Sequence, residues 1–198
     1  MSEAVAWQQA LAANEIARNR WLYAVIGVAT ATFCTAMGAY VAIPLPFTPV
    51  PLTLQTFFVL LSGAMLGARL GVLSQLLYVV LGTAGLPMFS RGGMGLAFLL
   101  GPTGGYLIGF VAAALLVGWI TSRQSGRTGW LKGTAAMLLG TAVIYLFGAT
   151  HLAFVCHTGV AGALLMGVVP FLPGDAVKLA VACAIWRGSR DRVNTIFG

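Results

Sequence analysis

The fold is decided by the stretch at residues 21–43, which reads WLYAVIGVATATFCTAMGAYVAI and contains no charged side chain. A helix needs about 20 predominantly apolar residues to cross the hydrocarbon core of a bilayer. The stretch is also longer than the apolar segment of a cleaved signal sequence, and further apolar runs follow it. It therefore predicts a retained first transmembrane helix.

The whole chain has the composition of a membrane protein. Of its 198 residues, 59% are apolar and only 8% are charged, and the mean hydropathy is +0.93. A soluble domain carries roughly 25% charged residues. Because so few charges cannot cover a water-soluble protein of this size, we expect an all-α integral membrane protein.

Further apolar segments follow the first one along the chain. The sequence predicts six transmembrane helices, at residues 21–43, 54–67, 70–82, 106–121, 133–152 and 174–186. Four prolines between residues 44 and 51 end the first of them, because proline cannot continue a helix. We expect a single six-helix transmembrane domain over residues 21–190. A cytoplasmic or interfacial segment precedes it at residues 1–20, and a cytoplasmic tail follows at 191–198.

The lysines and arginines predict the orientation of the chain. With the N-terminus inside and six alternating spans, the cytoplasmic segments hold Arg18, Arg20, Arg69, Arg123, Arg127, Lys132, Arg187, Arg190 and Arg192. The outer segments then hold only Arg91. Since basic residues favour cytoplasmic segments, both termini are expected in the cytoplasm. The same scattered placement argues against a nucleic-acid partner, despite a net charge of +7.

Two charged residues, Asp175 and Lys178, lie within the last predicted helix. Their spacing of three places both side chains on one helix face. Ionised groups at this depth are rarely kept without a partner or a polar cavity. The pair is therefore either a mutually neutralising structural pair or a recognition patch. In the second case Lys178 attracts an anion and Asp175 accepts hydrogen bonds.

Two loops on the expected outer face interrupt the helical pattern, a proline-rich loop at 44–53 and a glycine-rich loop at 85–102. Non-helical chain at membrane depth persists only where it is buried in protein or lines a wet cavity. The second loop carries Arg91, whose guanidinium can hold an anionic group through two hydrogen bonds. Together with Asp175 and Lys178, the loops predict an outward-facing pocket for a largely apolar ligand with an anionic group.

Sequence motifs of enzymes are absent. The chain contains no Walker-type phosphate loop, GxSxG or HExxH motif, and its four acidic residues leave little for acid–base catalysis. Three scattered cysteines lack the spacing of a metal site or a disulfide framework. We therefore expect no catalytic residue, metal site or cofactor. The alternative from another class is an intramembrane enzyme that uses His151, His157 and Asp175.

Small residues recur every four positions along the first helix, at Gly27, Ala31, Thr35 and Ala39. Such rows let helices approach closely. The row packs within the bundle or docks a partner membrane protein, and the sequence leaves both open.

Five motifs, in order along the chain, resemble the BioY family, the biotin-binding S components of energy-coupling factor (ECF) vitamin transporters. They are PVPLTLQT at 49–56, LGARLG at 66–71, LGTAGLPMF at 81–89, GPTGGYL at 101–107 and PGDAVK at 173–178. The resemblance implies a six-helix S-component fold in the cytoplasmic membrane, with a biotin pocket near the outer surface. An S component for thiamine or riboflavin is the nearest alternative, since the fold is shared and only the pocket differs.

The resemblance also implies a set of binding residues for biotin: Gln55, Phe89, Arg91, Tyr106, Asp175 and Lys178. Asp175 or Gln55 would accept the ureido N–H groups, and Tyr106 and Phe89 would pack on the ring. Arg91 or Lys178 would pair with the carboxylate, and which of the two does so stays open.

The partners implied by the resemblance are a transmembrane coupling subunit and, through it, two ATPase subunits on other chains. The row at Gly27, Ala31, Thr35 and Ala39 would contact the coupling subunit. Association into a homo-oligomer stays open.

Overall fold

The structure, a computed structural model, describes residues 19–122 and 129–197. The predicted segment before residue 19, with Arg18, lies outside the described residues, and so do Arg123 and Arg127. The described part is mostly helical, which confirms the predicted all-α class.

Seven α-helices follow one another along the described residues. They are α1 (Arg20–Tyr40), α2 (Gln55–Thr83), α3 (Leu96–Leu100), α4 (Gly104–Thr121), α5 (Gly129–Val155), α6 (Val160–Gly167) and α7 (Leu172–Phe197). Short 3₁₀ helices lie at Ser90–Gly92 and Val169–Phe171. The first helix ends at Tyr40 rather than at residue 43, because the chain then forms a strand.

That strand, β1 (Ala42–Ile43), pairs antiparallel with β2 (Leu52–Thr53). Ala42 lies opposite Thr53, so the two strands join the ends of the proline-rich loop. The main-chain N–H of Leu54 also donates to the carbonyl of Gly38 at 3.1 Å. These hydrogen bonds hold the proline-rich loop in a defined position between α1 and α2.

Helix α2 is a helical hairpin rather than a straight rod. Gly67 has φ +75° and ψ 179°, a conformation that essentially only glycine adopts, and the chain reverses there. Gln75 Nε2 lies 3.0 Å from Ser62 Oγ, and Gln55 Nε2 lies 2.6 Å from Tyr78 OH. In a straight helix these pairs would be roughly 20 and 35 Å apart along the axis. Residues 55–66 and 68–83 are thus separate antiparallel arms.

Glycines let the arms and α4 approach each other closely. A Cβ atom on Gly71 would lie 3.0 Å from Gly63 Cα on the other arm. A Cβ atom on Gly63 would lie 2.7 Å from the carbonyl oxygen of Ala114 on α4. These glycines therefore serve packing within the bundle, as small residues do between membrane helices.

Five helical segments among the described residues are long and apolar enough to cross a membrane. Large apolar side chains cover their outward faces, including Phe33, Leu146 and Phe154, which are 63%, 65% and 79% exposed. So much exposed apolar surface is unsuited to water and suited to lipid. The chain is a multi-pass helical membrane protein.

The small-residue row of α1 lies partly inside the chain. Thr35 and Ala39 have no exposed surface, and Thr35 Oγ1 lies 3.2 Å from Gln75 Nε2 on the second arm of α2. Gly27 and Ala31 are half-buried. Thr35 and Ala39 therefore pack within this chain, and docking of a partner along the row stays a prediction.

Candidate ligand-binding site

Asp175 and Lys178 form an ion pair at the start of α7. Lys178 Nζ lies 2.6 Å from Asp175 Oδ1, and the two side chains are only 12% and 8% exposed, respectively. Asp175 lies in the first turn of the helix, where a carboxylate complements the positive end of the helix dipole. The two charges therefore neutralise each other within the bundle.

Residues from β2 and the first arm of α2 complete the polar group around this pair. Lys178 Nζ donates to the carbonyl oxygen of Thr53 at 2.5 Å and to Thr56 Oγ1 at 3.4 Å. Thr56 Oγ1 donates to Asp175 Oδ1 at 3.2 Å. Tyr145 OH, from α5, donates to Asp175 Oδ2 at 2.5 Å. Since an ammonium has three N–H donors, Lys178 uses all of them within the chain.

This polar group forms one wall of an inner pocket whose other walls are mostly apolar. The apolar lining consists of Val50, Pro51, Leu52, Phe98, Leu107, Phe110 and Phe171. A mainly apolar cavity with a few convergent polar groups is the usual form of a small-molecule site.

An outer cavity of about 590 Å³ lies between the proline-rich and glycine-rich loops. It shares Pro51, Ser90, Phe98 and Thr103 with the inner pocket, so the two spaces adjoin at these residues. Arg91 lines the outer cavity and not the inner pocket. Its side chain is exposed and has no hydrogen-bond or ion-pair partner among the described residues.

Gln55 and Tyr106 line the inner pocket together with Asp175 and Lys178, but their polar groups are already engaged. Gln55 donates to Tyr78 OH at 2.6 Å and accepts from Thr53 Oγ1 at 3.1 Å. Tyr106 OH donates to the carbonyl oxygen of Gly167 at 2.7 Å. The Gln55 amide keeps one N–H donor and one acceptor position, and the Tyr106 oxygen keeps acceptor capacity.

Phe89 lies behind the pocket rather than in its lining. Its ring is fully buried, edge-on to Tyr78 at 5.6 Å between centroids and stacked on Phe98 at 5.1 Å. Phe98 itself lines both the pocket and the outer cavity. Phe89 thus supports the aromatic side chain that separates the two spaces.

Sequence reasoning did not single out Tyr145, Thr56 or Phe98. Thr56 belongs to the motif at 49–56, but its hydrogen bonds with Asp175 and Lys178 appear only once the chain is folded. Tyr145 lies in an apolar run with no motif around it. Only the packing of α5 against α7 reveals its contact with Asp175.

The two histidines lie away from the pocket. His151 Nε2 is 3.1 Å from the carbonyl oxygen of Gly101, and its side chain borders an apolar groove between α4 and α5. His157 is exposed in the loop before α6. Within residues 19–122 and 129–197, no three His, Cys, Asp or Glu side chains form a group that could hold a metal. The enzyme alternative thus lacks a joint site with Asp175.

The fold and the site define a class: multi-pass helical membrane proteins that enclose a charge-neutral polar group in a pocket at one end of the bundle. The chain belongs to the BioY family, whose sequence profile matches residues 9–195.

Two relatives show the extent of the similarity. The chain is 37% identical to the biotin transporter BioY of Rhizobium etli over 163 residues, which cover 79% of this chain and 87% of the relative. It is 40% identical to the biotin transporter BioY of Thermotoga maritima over 154 residues, 78% of this chain and 88% of the relative. The fold is similar to the crystal structure of the S-component for biotin from an ECF-type ABC transporter. That match has a TM-score of 0.81 and 28% identity, over 87% of this chain and 93% of the other.

Proposed function

We propose that this chain is the biotin-binding subunit of a biotin uptake system and not an enzyme. The observation that carries the proposal is the neutral Asp175–Lys178 unit in a mainly apolar pocket. Next to it lies a cavity with Arg91, which has no ion-pair partner among the described residues. Biotin combines a ureido group, an apolar thioether ring and a chain that ends in a carboxylate. The relatives that are biotin transporters support the choice of ligand.

The hydrogen bonds that Lys178 and Arg91 already make, or do not make, indicate how the ligand is oriented. All three N–H donors of Lys178 are engaged within the chain, so Lys178 has none for a carboxylate. Arg91, in the outer cavity, has its guanidinium free among the described residues. The carboxylate therefore belongs at Arg91, and the ureido group belongs in the inner pocket, where Asp175 accepts an N–H. The thioether ring then lies between them against Phe98 and Tyr106.

The proposed topology has six spans with both termini in the cytoplasm. The two arms of α2 supply the second and third spans, and residues 160–189 supply the last. Arg20, Arg69 at the hairpin turn, and Arg187 then share the cytoplasmic side, as the distribution of basic residues favours. The pocket lies at the opposite, outer end of the bundle, in the membrane of the cell.

The proposed partners supply the energy for transport. The similar solved structure is a component of an ECF-type ABC transporter, which supports a coupling subunit and ATPase subunits as partners. Because Thr35 and Ala39 are covered, the coupling subunit would meet α1 in its cytoplasmic half, where Gly27 and Ala31 are half-exposed. Biotin is the ligand, and no cofactor takes part.

Calorimetric titration of the purified chain with biotin tests the proposal. We expect saturable binding that excess thiamine or riboflavin does not reduce. Asp175→Ala should remove most of the affinity, because a hydrogen bond to a charged acceptor contributes about 1.5–3 kcal/mol. Thr134→Ala is a matched control, since Thr134 is on α5 and its hydroxyl bonds its own helix. Displacement of biotin by either vitamin, or full affinity in Asp175→Ala, contradicts the proposal.

A further inference from the structure

The Asp175 carboxylate is held at both oxygens, but by different parts of the chain. Lys178 and Thr56 both bind Oδ1. A carboxylate held at one oxygen turns easily, since the terminal torsion of Asp has a broad energy minimum. Tyr145 OH, 2.5 Å from Oδ2, is the contact that fixes the plane of the group.

The same contacts set what the carboxylate can offer a ligand. A carboxylate has about four acceptor positions. Lys178, Thr56 and Tyr145 fill three of them, which leaves one on Oδ2. Because the N–H donors of Lys178 are also used, this polar group presents a hydrogen-bond acceptor to the pocket and no ammonium donor.

Tyr145 is well placed for this task alone. It lies on α5, across the pocket from α7, and its side chain lines the pocket. Its hydroxyl donates to Asp175 and has no other hydrogen-bond partner within the described part of the chain. The hydroxyl therefore donates its one hydrogen bond to the Asp175 carboxylate.

We propose that Tyr145 is a positioning residue that determines specificity: it holds Asp175 so that the last free acceptor faces the pocket. The pocket then selects ligands that present an N–H donor at this point. The inference rests on the proposed function, because biotin supplies that donor through its ureido group.

The test compares biotin with isosteric analogues in which a methylene replaces one or the other ureido N–H. In Tyr145→Phe the affinity for biotin should fall about tenfold, while the affinity for the analogue that lacks the bonding N–H stays within twofold. The ratio of the affinity for biotin to the affinity for that analogue, which we call the discrimination ratio, thus falls about tenfold. Tyr23→Phe is the control, since Tyr23 lies on α1 outside the pocket. Equal losses for biotin and for both analogues would show a packing role and overturn the proposal.

A double-mutant cycle tests whether Tyr145 acts through Asp175. In an Asp175→Asn background, Tyr145→Phe should change the affinity for biotin by less than about twofold, because coupled residues are non-additive. Independent, additive losses overturn the proposal.

If Tyr145→Phe does not fold, 4-fluorophenylalanine at position 145 removes the hydroxyl and keeps the ring size. Wild-type chain that fails to bind biotin overturns the proposed function as well, whereas biotin binding with an unchanged ratio overturns this inference alone.

Discussion

Arg91 and Lys178 are the two cations near the site, and their surroundings give them different tasks. Arg91 is exposed in the outer cavity, whereas the Lys178 side chain is only 12% exposed and donates three hydrogen bonds. We expect Arg91→Ala to weaken biotin binding by about tenfold to a hundredfold, the contribution of a hydrogen bond to a charged group. The affinity for the uncharged biotin amide should be the same in Arg91→Ala as in the wild type, because the amide has no carboxylate for Arg91 to bind. Titration of both ligands checks this, with Arg69→Ala at the hairpin turn as the control.

Lys178 should behave differently from Arg91 because its charge balances a buried carboxylate. Lys178→Met leaves Asp175 without its counter-charge at a site that is 8% exposed. Removing one partner of a buried ion pair costs about 3–5 kcal/mol. The thermal midpoint of the ligand-free chain should therefore fall, and Asp175→Leu combined with Lys178→Met should recover most of the loss. A single Lys178→Met variant as stable as the wild type would refute this account of the pair.

Asp175 and Lys178 could be found from the sequence because ionised residues in an apolar run need an explanation. Tyr145 could not, since a tyrosine in such a run fits lipid, core and pocket equally well. The place of Phe89 was also beyond the sequence. A motif marks the residue, but only packing against Tyr78 and Phe98 shows that it supports the lining.

At the scale of the elements, the hairpin at Gly67 is the feature most open to test. Its φ of +75° and ψ of 179° cost a non-glycine residue about 1–3 kcal/mol, although a Cβ atom there would meet nothing within 4 Å. We expect Gly67→Ala to lower the thermal midpoint of the purified chain. Gly188→Ala is matched, because Gly188 also has open space but is helical, so alanine there should be neutral or stabilising. Equal midpoints for both variants would count against the reversal at Gly67.

The helical segments were predictable because a bilayer demands apolar runs of a certain length. Their ends were less so. The first helix ends before β1, which begins at Ala42. Pairing of β1 with β2 supplies hydrogen bonds to backbone groups at the two ends of the proline-rich loop. The row at Gly27, Ala31, Thr35 and Ala39 had two explanations in the sequence, packing or docking. The contact between Thr35 and Gln75 shows packing within the chain at the C-terminal end of the row.

At the scale of the whole molecule, the proposed topology places the hairpin turn and the glycine-rich loop on opposite sides of the membrane. Arg69 and Arg91 are both exposed, so cysteines there are open to reagent. In a chain whose Cys34, Cys156 and Cys183 are replaced by alanine, we expect Arg91→Cys to react with a membrane-impermeant maleimide in intact cells. Arg69→Cys should react only after the membrane is opened.

This experiment separates six spans from five. If α2 crossed the membrane once as a continuous rod, Arg69 would lie within the bilayer, and no impermeant reagent would reach it in either condition. If the chain had the opposite orientation, Arg69→Cys would react in intact cells and Arg91→Cys would not. The continuous rod conflicts with the hairpin, in which Gln75 contacts Ser62 across the arms. The opposite orientation conflicts with the distribution of basic residues. In the proposed topology, the reversal at Gly67 returns the chain to the outer face, where Gln55, Arg91 and Asp175 can meet the same ligand.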